Sequence, residues 1–218
     1  MAKLGHTATV TIAAMDVKKS IKAWEAVGFD VIHSNNQITR LTDGQLLLEI
    51  IEQEFPFFGV TYYGGASNQE RELHGPDGSN MIKQRHAPSS EASLPSKEQS
   101  PLLGYFESFA IGVASLPPAR AWAEDNGFFI LEEYGDPHPQ SDLTDGLISI
   151  SLRQGFSGRW IIYNTELDKE LVDDIEQALK SVDPLSNPVT ALQNETGKID
   201  VVRIDMPDGI RIVITQDM

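Results

Sequence analysis

Four Asp-Gly pairs divide this chain: Asp43-Gly44, Asp77-Gly78, Asp145-Gly146 and Asp208-Gly209. Each precedes a short apolar or alternating run: QLLLEII, SNMI, LISISL and IRIVI. Asp-Gly supplies the positive-φ backbone that a tight strand-to-strand turn requires. Four such turns before strand-like runs point to one supersecondary unit used repeatedly. The surrounding text agrees, since AWEAVGF (23–29) recurs as AWAEDNGF (121–128) and LTDG (41–44) recurs at 143–146.

The first repeat reads β-α-β-β-β. HTATVTIA (6–13) alternates and is rich in β-branched residues, which favours a strand. Asp16 caps a helix whose Val17, Ile21, Trp24 and Val27 are spaced for one buried face, and Gly28 ends it. FDVIHS and QITRLT flank the turn pair Asn35-Asn36, and QLLLEIIEQ follows Asp43-Gly44. The third repeat has the same order, from YFESFAIGVA (105–114) through a helix that opens on Pro117-Pro118 to LISISLRQ. The fourth runs from RWIIYN (159–164) through a helix over 168–182, with Leu171, Ile175, Ala178 and Leu179 on one face, to IRIVITQ.

The second repeat is short. Asp43 and Asp77 are 34 positions apart, whereas Asp145 and Asp208 are 63 apart. The shortfall is about one helix, one strand and their loops, so this repeat is expected to lack its helix. Residues 85–101 are rich in Ser, Pro and charge and read as a mobile linker. The expected organisation is a first half over 4–84, the linker over 85–101 and a second half over 102–217.

At this point the chain resembles the vicinal oxygen chelate superfamily, whose members include glyoxalase I, bleomycin-resistance proteins and extradiol dioxygenases. The resembling segments are MDVKKSIKAWEAVGFDV, LTDGQLLLEII, LTDGLISISLRQGFSGRWIIY and RIDMPDGIRIVI. They cover nearly all of the second half and the first half through about residue 84. The resemblance implies an α+β fold of tandem βαβββ repeats, each pair curling into a half-open barrel around a pocket. It also implies a divalent metal held by His and Glu on the first and last strands of paired repeats in catalytic members. The superfamily hosts lyases, isomerases, oxygenases and plain binding proteins, so the fold leaves function open.

The positions that this resemblance assigns to ligands read Thr9, Glu49, Glu107, Ser151, Trp160 and Val213, without one histidine. His6, His33, His74, His86 and His138 have no recognised ligand spacing. Cysteine is absent, which removes disulfides, thiolate metal sites and cysteine nucleophiles. No metal and no other cofactor is therefore expected. Glu49, flanked by Leu48 and Ile50, and Glu107 are the candidate catalytic carboxylates, each either a general base or a solvated group on an open sheet.

Period-two alternation places Ile148, Ile150 and Leu152 under a helix and leaves Leu147, Ser149, Ser151 and Arg153 on the concave side. By the repeat, Gln45, Leu47 and Glu49 are concave in repeat one, and Arg211, Val213 and Thr215 in repeat four. The entering strands add Tyr62, Trp160 and Tyr163. The expected ligand-binding residues are thus Ser149, Ser151, Arg153, Trp160, Arg211, Tyr62 and Tyr163. The two arginines favour an anionic ligand unless they only pair with surface acids.

The formal charge is -15, from 17 basic and 32 acidic residues, which disfavours nucleic acid and anionic lipid as partners. The N-terminus lacks a signal-peptide pattern and no stretch has the length of a membrane span, so a cytoplasmic protein is expected. A small-molecule ligand is the expected partner, and the sequence leaves a homodimer open. Three readings result: a metal-free small-molecule binder of the glyoxalase and bleomycin-resistance kind, a metal-dependent lyase or dioxygenase with a degenerate site, and a structural or regulatory module.

Overall fold

The computed structural model describes residues 4–53, 58–64, 71–75, 80–85, 102–186 and 188–216. Repeat one comprises β1 (Thr7–Ala14), α1 (Val17–Ala26), β2 (Asp30–Ser34), β3 (Ile38–Thr42) and β4 (Leu47–Glu52). Repeat two comprises β5 (Phe58–Tyr63), β6 (Arg71–His74) and β7 (Asn80–Arg85). It has three strands and, among the described residues, no helix. Repeat three runs through β8 (Tyr105–Val113), α2 (Leu116–Asp125), β9 (Phe129–Tyr134), β10 (Gln140–Thr144) and β11 (Ser149–Gln154). Repeat four runs through β12 (Arg159–Asn164), α3 (Lys169–Val182), β13 (Val189–Gln193), β14 (Ile199–Asp205) and β15 (Arg211–Thr215). This is the α+β arrangement of tandem repeats expected from the sequence.

The strands form two sheets, ordered β2-β3-β4-β1-β5-β7-β6 and β13-β14-β15-β12-β8-β11-β10-β9. Within a repeat the last strand runs parallel to the first, as β11 does to β8 and β15 to β12. The chain also divides into two compact units. One contains Met1–Val10, Phe58–Ser93 and Ser108–Arg159; the other contains Thr11–Phe57, Leu94–Glu107 and Trp160–Met218. Each compact unit therefore combines a repeat from the first half with one from the second: two with three, and one with four. The Asp77-Gly78 turn and nearly all of the expected linker lie outside the described residues.

The Asp-Gly turns form for a reason slightly different from the expected one. Gly44, Gly146 and Gly209 have φ of 96, 88 and 84°, but among the described residues no aspartate or other non-glycine has positive φ. The aspartate instead accepts from the turn backbone. Asp43 Oδ1 accepts from the amides of Gln45 (2.9 Å) and Leu46 (2.8 Å), and Asp145 Oδ1 from those of Leu147 (2.9 Å) and Ile148 (3.1 Å). The preceding threonine completes each turn: Thr42 Oγ1 donates to the Leu46 carbonyl and Thr144 Oγ1 to that of Ile148. A side chain that satisfies turn amides in this way is why Asp and Thr precede the glycine.

The helices are in place, and half of each expected face is buried: Trp24 and Val27 for α1, Ile175 and Leu179 for α3. In α1 the buried residues are Ser20, Ala23 and Trp24, with Val17 and Ile21 half-buried. In α3 they are Val172, Ile175 and Leu179, with Leu171 half-buried. The Ala-Trp match between α1 and α2 is also out of register. The Phe29 amide donates to the Trp24 carbonyl and the Phe128 amide to the Ala123 carbonyl, so Trp24 is equivalent to Ala123 rather than Trp122. Accordingly Trp24 is fully buried and Trp122 only half-buried.

Asp208 gives the buried Ser20 of α1 its partner. Its Oδ2 accepts from Ser20 Oγ (2.5 Å) and Trp24 Nε1 (2.8 Å), and its Oδ1 from the Ile210 amide (3.1 Å). The residue is half-buried, but its carboxylate is enclosed, and that burial raises its pKa while Ser20, Trp24 and the backbone pull it back down. Between the ordinary aspartate value of about 4 and the raised one, the folded chain binds more protons than the unfolded chain. Asp208 should therefore make stability fall as pH rises through that window. Urea midpoints across it should show the slope, and Asp208→Asn should flatten it; an unchanged slope would refute the assignment.

Candidate functional site

In the first compact unit the expected strip is a real face of the sheet. The register pairs Ser151 with Ala110 and Arg153 with Gly112, so these side-chain positions lie opposite to those of Ile150, Leu152, Phe109 and Ile111. Across β10 the same face carries Thr144, Asp142 and Gln140, opposite Ser149, Ser151 and Arg153. Ser151 is fully buried and its Oγ accepts from Arg153 Nε at 3.2 Å, while Gln140 Nε2 donates to both Asp142 oxygens. The segment after β11 comes down onto Gly112, whose amide donates to the Gly158 carbonyl at 2.9 Å. A Cβ at residue 112 would stand 2.3 Å from the Phe156 carbonyl oxygen, so only glycine admits this approach.

In the second compact unit β12 and β15 pair Trp160 with Arg211, Ile162 with Val213 and Tyr163 with Ile214. Trp160, Arg211 and Val213 therefore share a face, and all three are half-buried. Arg211 Nε reaches Asp205 Oδ1 at 2.8 Å, and Arg203 Nε reaches the other oxygen of Asp205 at 3.4 Å. Thus Arg211 has a carboxylate neighbour from the edge of its own hairpin.

The expected residues are divided between the compact units. Ser149, Ser151, Arg153 and Tyr62 fall in one compact unit; Trp160, Arg211, Tyr163, Glu49 and Glu107 fall in the other. Tyr163 lies on the face of Ile212 and Ile214, not that of Trp160. It is completely buried, meets Phe106 edge-on at 5.8 Å, and donates its hydroxyl to Asp43 Oδ2 at 2.6 Å. Burial first, then the Asp43 charge, raises its pKa well above the usual tyrosine value. Tyr62 is its counterpart in the other unit. Burial and then the nearby Asp145 carboxylate raise its pKa likewise, but its hydroxyl has no partner at full hydrogen-bond geometry.

Of the two candidate carboxylates, Glu107 is exposed on β8 and Glu49 is fully buried on β4. Glu49 Oε2 lies 3.2 Å from Arg40 Nε, and Arg40 is itself only 5% exposed. Sequence reasoning missed Arg40. The signal was present in the hairpin, where Arg40 stands directly opposite Glu49 across the antiparallel pair. It also missed Asp208 and the carboxylate role of Asp43 towards Tyr163, which depend on partners more than 100 residues away.

The donor set does not fit a transition metal. Trp160 and Val213 offer no ligand atom, Thr9 and Ser151 offer neutral hydroxyls, and Glu49 is ion-paired. Among the described residues no three His, Cys, Asp or Glu side chains converge. His6, His74 and His138 are exposed, and His33 is half-buried beside Asn35.

A separate cavity of about 190 Å³ opens on the helix-covered side of the second unit. Lys19, Ala23, Leu179, Val182 and Pro207 line it, with the Lys19–Asp183 ion pair (2.6 Å) at its wall. None of the expected site residues reaches it. No helix among the described residues is long and apolar enough to cross a membrane.

No protein-family model and no curated protein matches this sequence. Solved structures do. The anaerobic complex of homoprotocatechuate 2,3-dioxygenase from Brevibacterium fuscum with 3,4-dihydroxyphenylacetate matches with TM-score 0.66 at 14% identity, over 100% of this chain and 82% of that one. A point mutant of the same enzyme gives TM-score 0.64 at 13% identity, covering 99% of this chain and 72% of that one. The room-temperature structure of an extradiol ring-cleaving dioxygenase from B. fuscum gives 0.65 at 13%, again over 99% and 72%. These neighbours are extradiol dioxygenases, members of the vicinal oxygen chelate superfamily. At such identity the likeness is one of fold.

Proposed function

We propose that this chain is a vicinal-oxygen-chelate-type protein that binds a small anionic aromatic molecule without a catalytic metal. The observation that carries the reading is the face shared by Trp160, Arg211 and Val213. A half-buried indole beside a guanidinium offers an apolar ring surface and a fork of donors suited to a carboxylate. Asp205 is shared there by two arginines, Arg203 and Arg211. The metal-free part of the reading is supported by the ligand positions described above. The alternative, a metal-dependent lyase or dioxygenase, is favoured by the identity of the structural neighbours alone.

The test is a thermal-shift screen of aromatic carboxylates, beginning with 3,4-dihydroxyphenylacetate because a structural neighbour binds it. A binder raises the melting temperature by mass action. Arg211→Met should abolish most of that rise while changing the ligand-free stability by no more than about 1 kcal/mol, as is usual for an exposed ion pair. Equal shifts in parent and variant would place the site elsewhere. Stoichiometric iron, manganese, zinc or nickel in protein purified without an affinity tag would overturn the metal-free reading.

A further inference from the structure

We infer that Arg40 is a built-in cation of the second compact unit: its guanidinium balances Glu49 at the place where a metal-binding relative would hold a carboxylate ligand. This rests on the metal-free reading above and extends it to a specific residue.

The β3–β4 register pairs Ile38 with Ile51, Arg40 with Glu49 and Thr42 with Leu47, so these six side-chain positions make up one face of the hairpin. That strip contains one acid and one base, set directly opposite each other among Ile38, Leu47 and Ile51. The side chains of Arg40 and Glu49 are 6% and 0% exposed, and their Nε and Oε2 atoms are 3.2 Å apart. A carboxylate so buried needs a counter-charge, because the alternative is an isolated anion in a medium that solvates it poorly. A divalent ion would have to compete with a guanidinium tethered on the neighbouring strand, already at high effective concentration.

The repeat supplies an internal comparison. At the corresponding pair of β10 and β11 stand Asp142 and Ser151. A neutral hydroxyl there replaces the glutamate, and the arginine opposite is gone with it. The direct acid–base pair is thus present in the β3–β4 hairpin and absent at the corresponding pairs of β10–β11 and β14–β15, where Asp142 faces Ser151 and Arg203 faces Val213.

The test is a double-mutant cycle on the full chain with Arg40→Met, Glu49→Met and the double variant, followed by thermal melting with and without Mn²⁺. Arg40→Met should lower the melting temperature by roughly 10 °C or more, since it leaves a buried charge uncompensated. The double variant should recover most of that loss. If Arg40→Met does not fold, recovery of folded protein in the double variant is the supporting result. A double variant as impaired as Arg40→Met would overturn the inference. Mn²⁺ should leave the parent's melting temperature unchanged. Stoichiometric metal lost on Glu49→Gln would sink both the inference and the metal-free reading. Stoichiometric metal retained in Glu49→Gln would sink only the reading, with the cycle still deciding the role of Arg40.

Discussion

Replacing Trp24 by alanine should destabilise the chain by about 3–5 kcal/mol, the range for removing a buried large aromatic residue. Trp24 is wholly buried, its ring meets Phe29 edge-on at 5.0 Å, and its Nε1 donates to Asp208. Alanine removes the packing and one donor to an enclosed carboxylate at the same time. Since small domains are stable by roughly 5–15 kcal/mol, the loss is a large share of the whole. Trp122→Ala should cost much less, because that side chain is half-buried and out of register with Trp24. Urea unfolding of the two variants side by side is the measurement. Equal losses would show that the one-residue shift between α1 and α2 has no energetic meaning.

Asp43→Ala is the second large effect. Asp43 is 1% exposed and accepts from two turn amides and from Tyr163 Oη. Hydrogen bonds to a charged group contribute about 1.5–3 kcal/mol each, and their removal would strand a buried phenol. Because the bonds are not additive, a loss of roughly 4 kcal/mol is expected. Asp145→Ala removes the equivalent turn in the other compact unit. There the aspartate is half-buried and Tyr62 is not fully hydrogen-bonded to it. It should therefore cost less than half as much. Denaturant midpoints that fall equally for the two variants would remove the argument that the Tyr163 contact makes the difference.

The comparison of these two turns also shows what a sequence can carry. LTDG is readable as a hairpin because Thr, Asp and Gly satisfy and shape the turn locally, within four residues. The alternation of Ile148, Ile150 and Leu152, and of Ile210, Ile212 and Ile214, is readable for the same reason, and those residues are buried as the alternation requires. That repeat two has no helix among its described residues accords with its short spacing. The lost information is non-local. Ser20 faces inward because Asp208, 188 residues later, needs its hydroxyl. Tyr163 points to the packed face because Asp43 waits there. Period-two counting from the entering strand could not distinguish this from a residue lining the open face beside Trp160. Alternation assigns Ser151 and Arg153, and Trp160 and Arg211, to shared faces, but not to compact units. Ser151 and Trp160, nine positions apart in sequence, belong to different compact units.

The pairing of repeats across the two halves has a consequence for synthesis on the ribosome. Neither compact unit can be completed by the first half alone. The unit containing repeats two and three is complete in sequence once Arg159 has been made, but the one containing repeats one and four waits for the end of β15. At about 5–20 residues per second, that interval lasts roughly 3–12 s. Throughout it β3 and β4 present Leu41, Leu47, Leu48 and Ile50 without the last repeat to finish their unit. The segment Thr11–Phe57 thus waits longest for its unit to be completed, and it is where a holding chaperone would be needed longest.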